Sequence, residues 1–565
     1  MGARRRTRRR VIVFTTLAVV TGAVFAVASA RTTAPRRAYF GRAEPPADDV
    51  LRFTNGAEPE LLDPGLMSGQ PDGRIARSLF EGLVAPHPRT LAPTPGMATR
   101  WEVSPDGLHY TFHLRSNARW TNGDRVTAHD FVWSWLRVLH PKIAARYADI
   151  FYVIRNAQAY KKGTLQDASQ VGIHAADDTT LVVDLDAPTP YFMQLVMYYP
   201  FLPVHRATLE KYGDRWTHVD HIVTNGAFKL TFHRQNDRFI MDRNDDYWDV
   251  ANVRLKRVVA YSLDDLTTMV NMYRAGMTDW NPSGYLPAQY IPFVRDYDDY
   301  HAGPYLGTYF YSFNVTQPPF DDARVRRALA MAVDRERIVK YLLHDSRAPW
   351  GNVVSPGFEG YPYPEGVRFD PAAARELLAA AGYPQGRGFP SVELLFNTSQ
   401  DHRKIAEAIQ EMWKQHLGLD VKLTNQEWGS YMQSTTKLQY QVARRSWIAD
   451  YLDPNSFLFM LRSADGNNRT GWSDARFDSL IALAGRTLDE PRRFALMAEA
   501  ERIALEAMPY LPIYAYSTVE LVAPYVRGFY STPTDTHPLK HFYFERGGAQ
   551  EAAAAAPGAS VGSTP

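Results

Sequence analysis

The 565-residue chain contains no cysteine. That absence removes disulfides, thiol nucleophiles, zinc ribbons, iron–sulfur clusters and thioether haem, and with them a lipid-modified N-terminal Cys. Net charge is nearly absent as well: +2, from 63 Lys and Arg against 61 Asp and Glu. Six Arg and no acid fall within residues 1–30, which leaves 57 basic against 61 acidic residues, or −4, for the remainder. Such a balance offers no electrostatic footprint for nucleic acid. The sequence also lacks a GxxxxGK[ST] phosphate loop and an HExxH pair, and its 16 His are scattered without metal-ligand spacing. No cofactor and no metal is expected, and an active site would have to be assembled from distant residues. The expectation is a protein that is not an enzyme.

What is present is a globular composition. Hydrophobic residues make up 45 % and aromatics 13 %, enough for large cores and aromatic-lined pockets. The length corresponds to roughly three to four domain-sized units. Arg4–Arg6 and Arg8–Arg10 precede the apolar run Val11–Val27 and the A-x-A pattern Ala28-Ser29-Ala30. Residues 1–30 read as a signal peptide, or as an uncleaved N-terminal anchor, and Thr7–Ile12 faintly resembles a twin-arginine signal. Residues 31–48 read as a Pro/Ala/Arg-rich linker and 547–565 as a disordered tail.

Between these ends, strand and helix signals alternate. Tyr110–Leu114 reads as a strand bounded by Asp106-Gly107. Thr127, with Asp130 three residues on, reads as the N-cap of a helix carrying Phe131, Trp135 and Val138. Ile405, Ile409, Met412, Trp413 and Leu417 recur at helical spacing, and Leu419–Leu423 alternates as a strand. The paired acids Asp245-Asp246 and Asp264-Asp265 read as turn or solvated residues. The pattern is α/β.

Trp101–Leu108, Tyr110–Arg115, Trp120–Gly123 and Thr127–Phe131 form one continuous signature. With Leu62-Asp63-Pro64, Leu79–Leu83, Thr224–Phe228, Arg243–Trp248, Pro319–Ala328, Val442–Tyr451 and Gly471–Asp474, it closely resembles the oligopeptide- and dipeptide-binding proteins of ABC transporters. The resemblance runs in order over roughly residues 50–545. It implies a two-lobed periplasmic-binding-protein fold of the class II, cluster C type, with an extra inserted domain. The implied first lobe is 49–80 plus 206–306 plus 519–546, the inserted domain 81–205, and the second lobe 307–518. It implies an exported, periplasmic, monomeric protein that captures short peptides and meets the permease subunits of an importer. It would touch the membrane only through that importer or an uncleaved leader.

The resemblance also implies site residues. Asp450 takes the place of the acid for the peptide ammonium. Ser446, Trp447 and Ile448 would be the strand pairing with ligand amides, and Trp428 a pocket wall. Arg444 and His402 would meet the C-terminal carboxylate of ligands of different lengths. Gly69 and Tyr514 fall among the cleft residues. Each has a structural reading too: Asp450 a turn acid, Trp428 and Trp447 core aromatics, His402 a helix-start residue, Arg444 an ion-pair partner, Tyr514 and Tyr516 strand packing.

The sequence departs from the family pattern where Arg445-Ser446 replace Ala-Gly, where two cleft Glu positions fall at Ser68 and Ser312, and where Thr435 with nearby Lys437 stands at a second carboxylate position. Strand alternation turns Arg444 and Arg445 to opposite faces. Other readings on the same scaffold are a cell-wall peptide, an opine-like compound or a metal chelate as ligand. From other classes come an exported chaperone or sensor, and a peptide hydrolase, for which no nucleophile is found.

Overall fold

The computed structural model describes residues 39–67, 69–463 and 465–546. The leader 1–30, the tail 547–565 and Ser68 lie outside the described residues. Among the described residues no helix is long and apolar enough to cross a membrane.

An 11-stranded sheet runs through the molecule. Its order is Val421–Gln426, Val392–Asn397, Val442–Ile448, Tyr300–Phe313, Tyr510–Val522, Trp280–Asn281, Val50–Gly56, Arg257–Ser262, Arg238–Arg243 and Phe228–Arg234, with Ala348–Pro349 added to Tyr510–Val522. The two longest strands, Tyr300–Phe313 and Tyr510–Val522, pair with each other and hold the ends of this sheet together. Their ladder breaks register between Pro304 and Thr308, and there the Leu306 amide turns to the Pro533 carbonyl instead (2.8 Å). A separate four-stranded antiparallel sheet is formed by Ala98–Val103, His109–Leu114, Thr180–Asp184 and Ile173–Asp177.

Local chemistry explains these elements. The strand expected at Tyr110–Leu114 spans His109–Leu114 and buries Tyr110, Phe112 and Leu114 on one face, the two-residue period of a half-buried strand. The helix Ala128–Leu139 starts where Asp130 accepts from the Thr127 amide (2.7 Å) and hydroxyl (3.1 Å). It buries Phe131, Trp135 and Val138. All five residues of the helical repeat from Ile405 to Leu417 are buried in Gln400–Leu417. The following strand begins at Val421, two residues later than its alternation suggests. Gly418 ends the helix in a left-handed conformation (φ 71°), and the Leu419 amide still reaches back to the Trp413 carbonyl. Asp265 caps a helix through the Thr268 amide (2.6 Å), and Asp245 pairs with Arg243 at the surface. Within the segment read as a linker, the Phe40 and Gly41 amides donate to the Asp299 carboxylate (3.0 and 2.8 Å).

Several of the resemblance strings are one physical knot. Asn225 accepts from the Glu81 amide (3.0 Å) and donates to its carbonyl (2.9 Å). The Glu81 carboxylate accepts from the Tyr247 hydroxyl, the Trp248 indole and Lys540, each at 2.6 Å. Asn244 donates to the Gly226 carbonyl (3.0 Å). Gly226 is required by close approach: a Cβ there would lie 2.6 Å from the Leu79 carbonyl carbon and 2.8 Å from the Phe80 nitrogen. Backbone cannot yield as a side-chain tip can. Gly226→Ala should therefore cost about 1–3 kcal/mol of stability, as overpacking does. Thermal denaturation checks this, and an unchanged midpoint would contradict the packing argument.

Candidate functional site

Strand Val442–Ile448 positions the candidate site. One edge pairs along its whole length with Tyr300–Phe313, from Phe313 opposite Val442 to Gly307 opposite Ile448. The other edge meets Val392–Asn397 only at Val442 and Ala443. Among the described residues, no strand covers that edge from Arg444 to Ile448. There an extended chain can add main-chain hydrogen bonds.

The end of that stretch, from Ser446 to Ile448, forms one wall of a cavity of about 300 Å³. Ser446, Trp447, Ile448 and Asp450 line it, with Ala449, Tyr451 and Leu452. The facing wall is built from Gly69, Arg77, Tyr147 and Tyr198–Tyr199, with Tyr305 and Thr534 also lining the cavity. Gly69 caps the helix Gln70–Leu79, and a Cβ there would lie 2.2 Å from Asp72 Oδ2. Five of the nine residues singled out from sequence therefore meet in one cavity.

Asp450 is half-buried, and its amide is fixed by the Ser456 hydroxyl (3.0 Å). Burial first, and then the Asp149 charge, push its carboxyl up to about 7, while the nearby Tyr147 and Tyr198 hydroxyls pull it back. Tyr191 stacks on Tyr451 (5.0 Å between ring centres) and ties the turn carrying Asp450 to the opposite wall. Behind that turn, Asp453 and Arg493 form a fully buried ion pair (2.5 Å).

Arg444, His402 and Tyr514 do not line this cavity. They stand in an adjoining aromatic cluster. The Arg444 guanidinium stacks on Tyr309 (4.5 Å), and it donates to Asn397 Oδ1 (3.3 Å) and the Tyr516 hydroxyl (3.2 Å). It is buried, its Nε has no hydrogen-bond partner, and among the described residues no carboxylate lies within ion-pair distance. His402 sits 3.3 Å from the Tyr309 hydroxyl. Burial and the Arg444 charge push it down to about 3, so it is neutral. Tyr514 stacks on Tyr309 (4.7 Å), and it is Tyr516 that touches Arg444. Trp428 opens the helix Trp428–Thr436, and its side chain lies outside what the structure describes. Sequence reasoning missed Arg77, Tyr147, Tyr198 and Tyr309. No local signal marks them, because only the tertiary fold brings them here.

The chain matches the family model of the bacterial extracellular solute-binding proteins, family 5 middle region, over residues 92–469. It is 35 % identical over 521 residues to the dipeptide-binding protein DppE of Bacillus subtilis, covering 91 % of this chain and 95 % of that protein. With the periplasmic oligopeptide-binding protein OppA of Salmonella typhimurium it shares 36 % identity over 504 residues, covering 87 % and 91 %. The crystal structure of Haemophilus influenzae OppA in complex with RPPGFSPFR superimposes with a TM-score of 0.78 at 32 % identity, covering 88 % of this chain and 99 % of that one.

Proposed function

The chain belongs to the bacterial extracellular solute-binding proteins of family 5, and on that premise we propose that it captures short peptides between two lobes and delivers them to an ABC importer. The observation that carries the reading is the strand edge uncovered from Arg444 to Ile448, which lines the cavity from Ser446 and leads two residues on to Asp450. A peptide of any sequence offers constant amides and two end charges. The strand edge suits the amides, and side chains can then be left in roomy pockets. Asp450 suits the ammonium, whose burial needs a carboxylate. Arg444 suits the C-terminal carboxylate of ligands long enough to reach it, with neutral His402 beside it. Trp428 is proposed as a pocket wall.

In this reading 49–80, 206–306 and 519–546 make the first lobe, 81–205 the inserted domain and 307–518 the second lobe. The register break at Pro304–Thr308 favours a hinge there, since the two long strands pair with each other on both sides of it but their ladder is interrupted across it. Closure around a ligand desolvates and strengthens the contacts. The protein would act as a monomer outside the cytoplasmic membrane and turn nothing over. Its membrane contact would come through the importer's permease subunits.

Isothermal titration with tri-alanine and its N-acetylated form tests the reading. The free tripeptide should bind, and acetylation should weaken it about 30-fold or more by removing the charge opposite Asp450. Failure of every free peptide from two to five residues to bind would overturn the function. Equal affinity of the two forms would overturn the role of Asp450 alone.

A further inference from the structure

Arg445 is the residue that this function does not use. It follows Arg444 on strand Val442–Ile448 and points to the opposite face, where it is buried. Its guanidinium donates to the Asn467 carbonyl (3.2 Å). Arg469 stands beside it and donates to the Thr435 hydroxyl (3.3 Å) and the Met432 sulfur (3.6 Å). Burial and the Arg445 charge both push Arg469 below the ordinary arginine range. Among the described residues, neither guanidinium has a carboxylate within 4.0 Å. Asp465 lies near but is taken by Arg462 (3.2 Å) and the Asn467 amide (2.8 Å).

The other groups here are donors without acceptors. The Arg469 Nε, the Tyr510 hydroxyl and the Trp447 indole nitrogen are all buried with no hydrogen-bond partner. Trp447 lines the peptide cavity and, two residues along the strand, shares the face of Arg445. The neighbouring strand contributes Ser312 to this face, a small neutral side chain that donates to the Ala443 carbonyl (3.3 Å). Arg445 is buried and Arg469 half-buried, and two such cations held only by neutral groups repel each other and are incompletely solvated. An incoming anion would relieve both costs.

We propose that Arg445 and Arg469 form an anion subsite at the inner end of the cleft beyond Trp447, which selects peptides whose side chain there carries a carboxylate. This deepens the peptide-binding reading and rests on it. An acidic side chain passing Trp447 would gain charge-assisted hydrogen bonds from both guanidinium groups. An amide of the same shape would gain none of the charge.

The test is titration of tri-alanine and of its variants with Glu or Gln at each position in turn, against the native protein and Arg445→Met. In the native protein, one position should bind Glu about 10- to 100-fold more tightly than Gln. Arg445→Met should abolish that preference, leave tri-alanine affinity within about threefold, and keep or raise the melting temperature of the free protein, since it removes an unpaired buried charge. A native protein that binds tri-alanine but prefers Glu at no position overturns the subsite and leaves the peptide reading intact. So does a preference that survives in both Arg445→Met and Arg469→Met. A large loss of stability in Arg445→Met would instead mark a structural role and also overturn the proposal. If tri-alanine and all its variants fail to bind, the function falls and the subsite with it.

Discussion

Asp450→Asn should lower peptide affinity by about 2–5 kcal/mol, because it removes one partner of a desolvated charge pair while keeping its shape. The same residue should make binding pH-dependent. Its carboxyl in the free protein is pushed up to about 7, by burial and then by Asp149. A bound ammonium favours the ionised form, so complex formation below pH 7 must expel a proton. Affinity should therefore fall on acidification, by roughly 10- to 100-fold between pH 7 and pH 5, where the peptide amine stays charged. For the free protein the sign reverses. The raised folded-state value means that this group penalises folding above its unfolded value near 4. The penalty eases as pH falls from about 7 toward 4. Titration calorimetry at several pH values separates the outcomes. The Asn variant should lose the pH dependence along with the affinity. A native affinity that is flat or rises toward pH 5 would contradict the role of Asp450 as the ammonium partner.

Arg493→Met should cost about 3–5 kcal/mol of stability. Arg493 and Asp453 are both about 95 % buried, with side-chain exposures of 5 % and 4 %. Asp453 also accepts from the Asn455 amide (2.9 Å). Removing the guanidinium leaves a carboxylate in an apolar setting with one hydrogen bond. Burial already pushes Asp453 up, and Arg493 is the main force pulling it back. The variant's Asp453 should therefore take up a proton more readily, and acidification from pH 7 should recover part of the loss. Arg493→Met with Asp453→Asn should be more stable than Arg493→Met alone. Because this pair braces the turn carrying Asp450, the single variant should also bind peptide less tightly. Thermal denaturation across pH, with titration of the folded fraction, measures both. A loss under about 1 kcal/mol, independent of pH, would show that the pair does not brace the turn.

Much of this was legible in the sequence where the signal was local. The helix Gln400–Leu417 follows from its apolar period, whereas the strand Val442–Ile448 and the turn at Asp450 are read from the family resemblance. The strings Leu79–Leu83, Thr224–Phe228 and Arg243–Trp248 read as separate short matches. Their meaning lies in the Glu81–Asn225–Tyr247–Lys540 network that knots them. What stayed hidden depends on long-range convergence. Tyr147 and Tyr198 reach Asp450 from 303 and 252 residues away in sequence, with no periodicity to announce them. His402 and Arg444 were readable as residue types, but burial decides that His402 is neutral and that Arg444 lacks an acid. The opposite facing of Arg444 and Arg445 follows from alternation alone. That the second guanidinium meets Arg469 and no carboxylate needed the fold.

The cleft is expected to hold peptides through their backbone and end charges. Native mass spectrometry of the protein purified without denaturation tests it most directly. The expected result is a heterogeneous ladder of bound masses that denaturation resolves into peptides of a few residues. A single defined non-peptide mass, or a protein that stays unliganded when offered a peptide library, would contradict it.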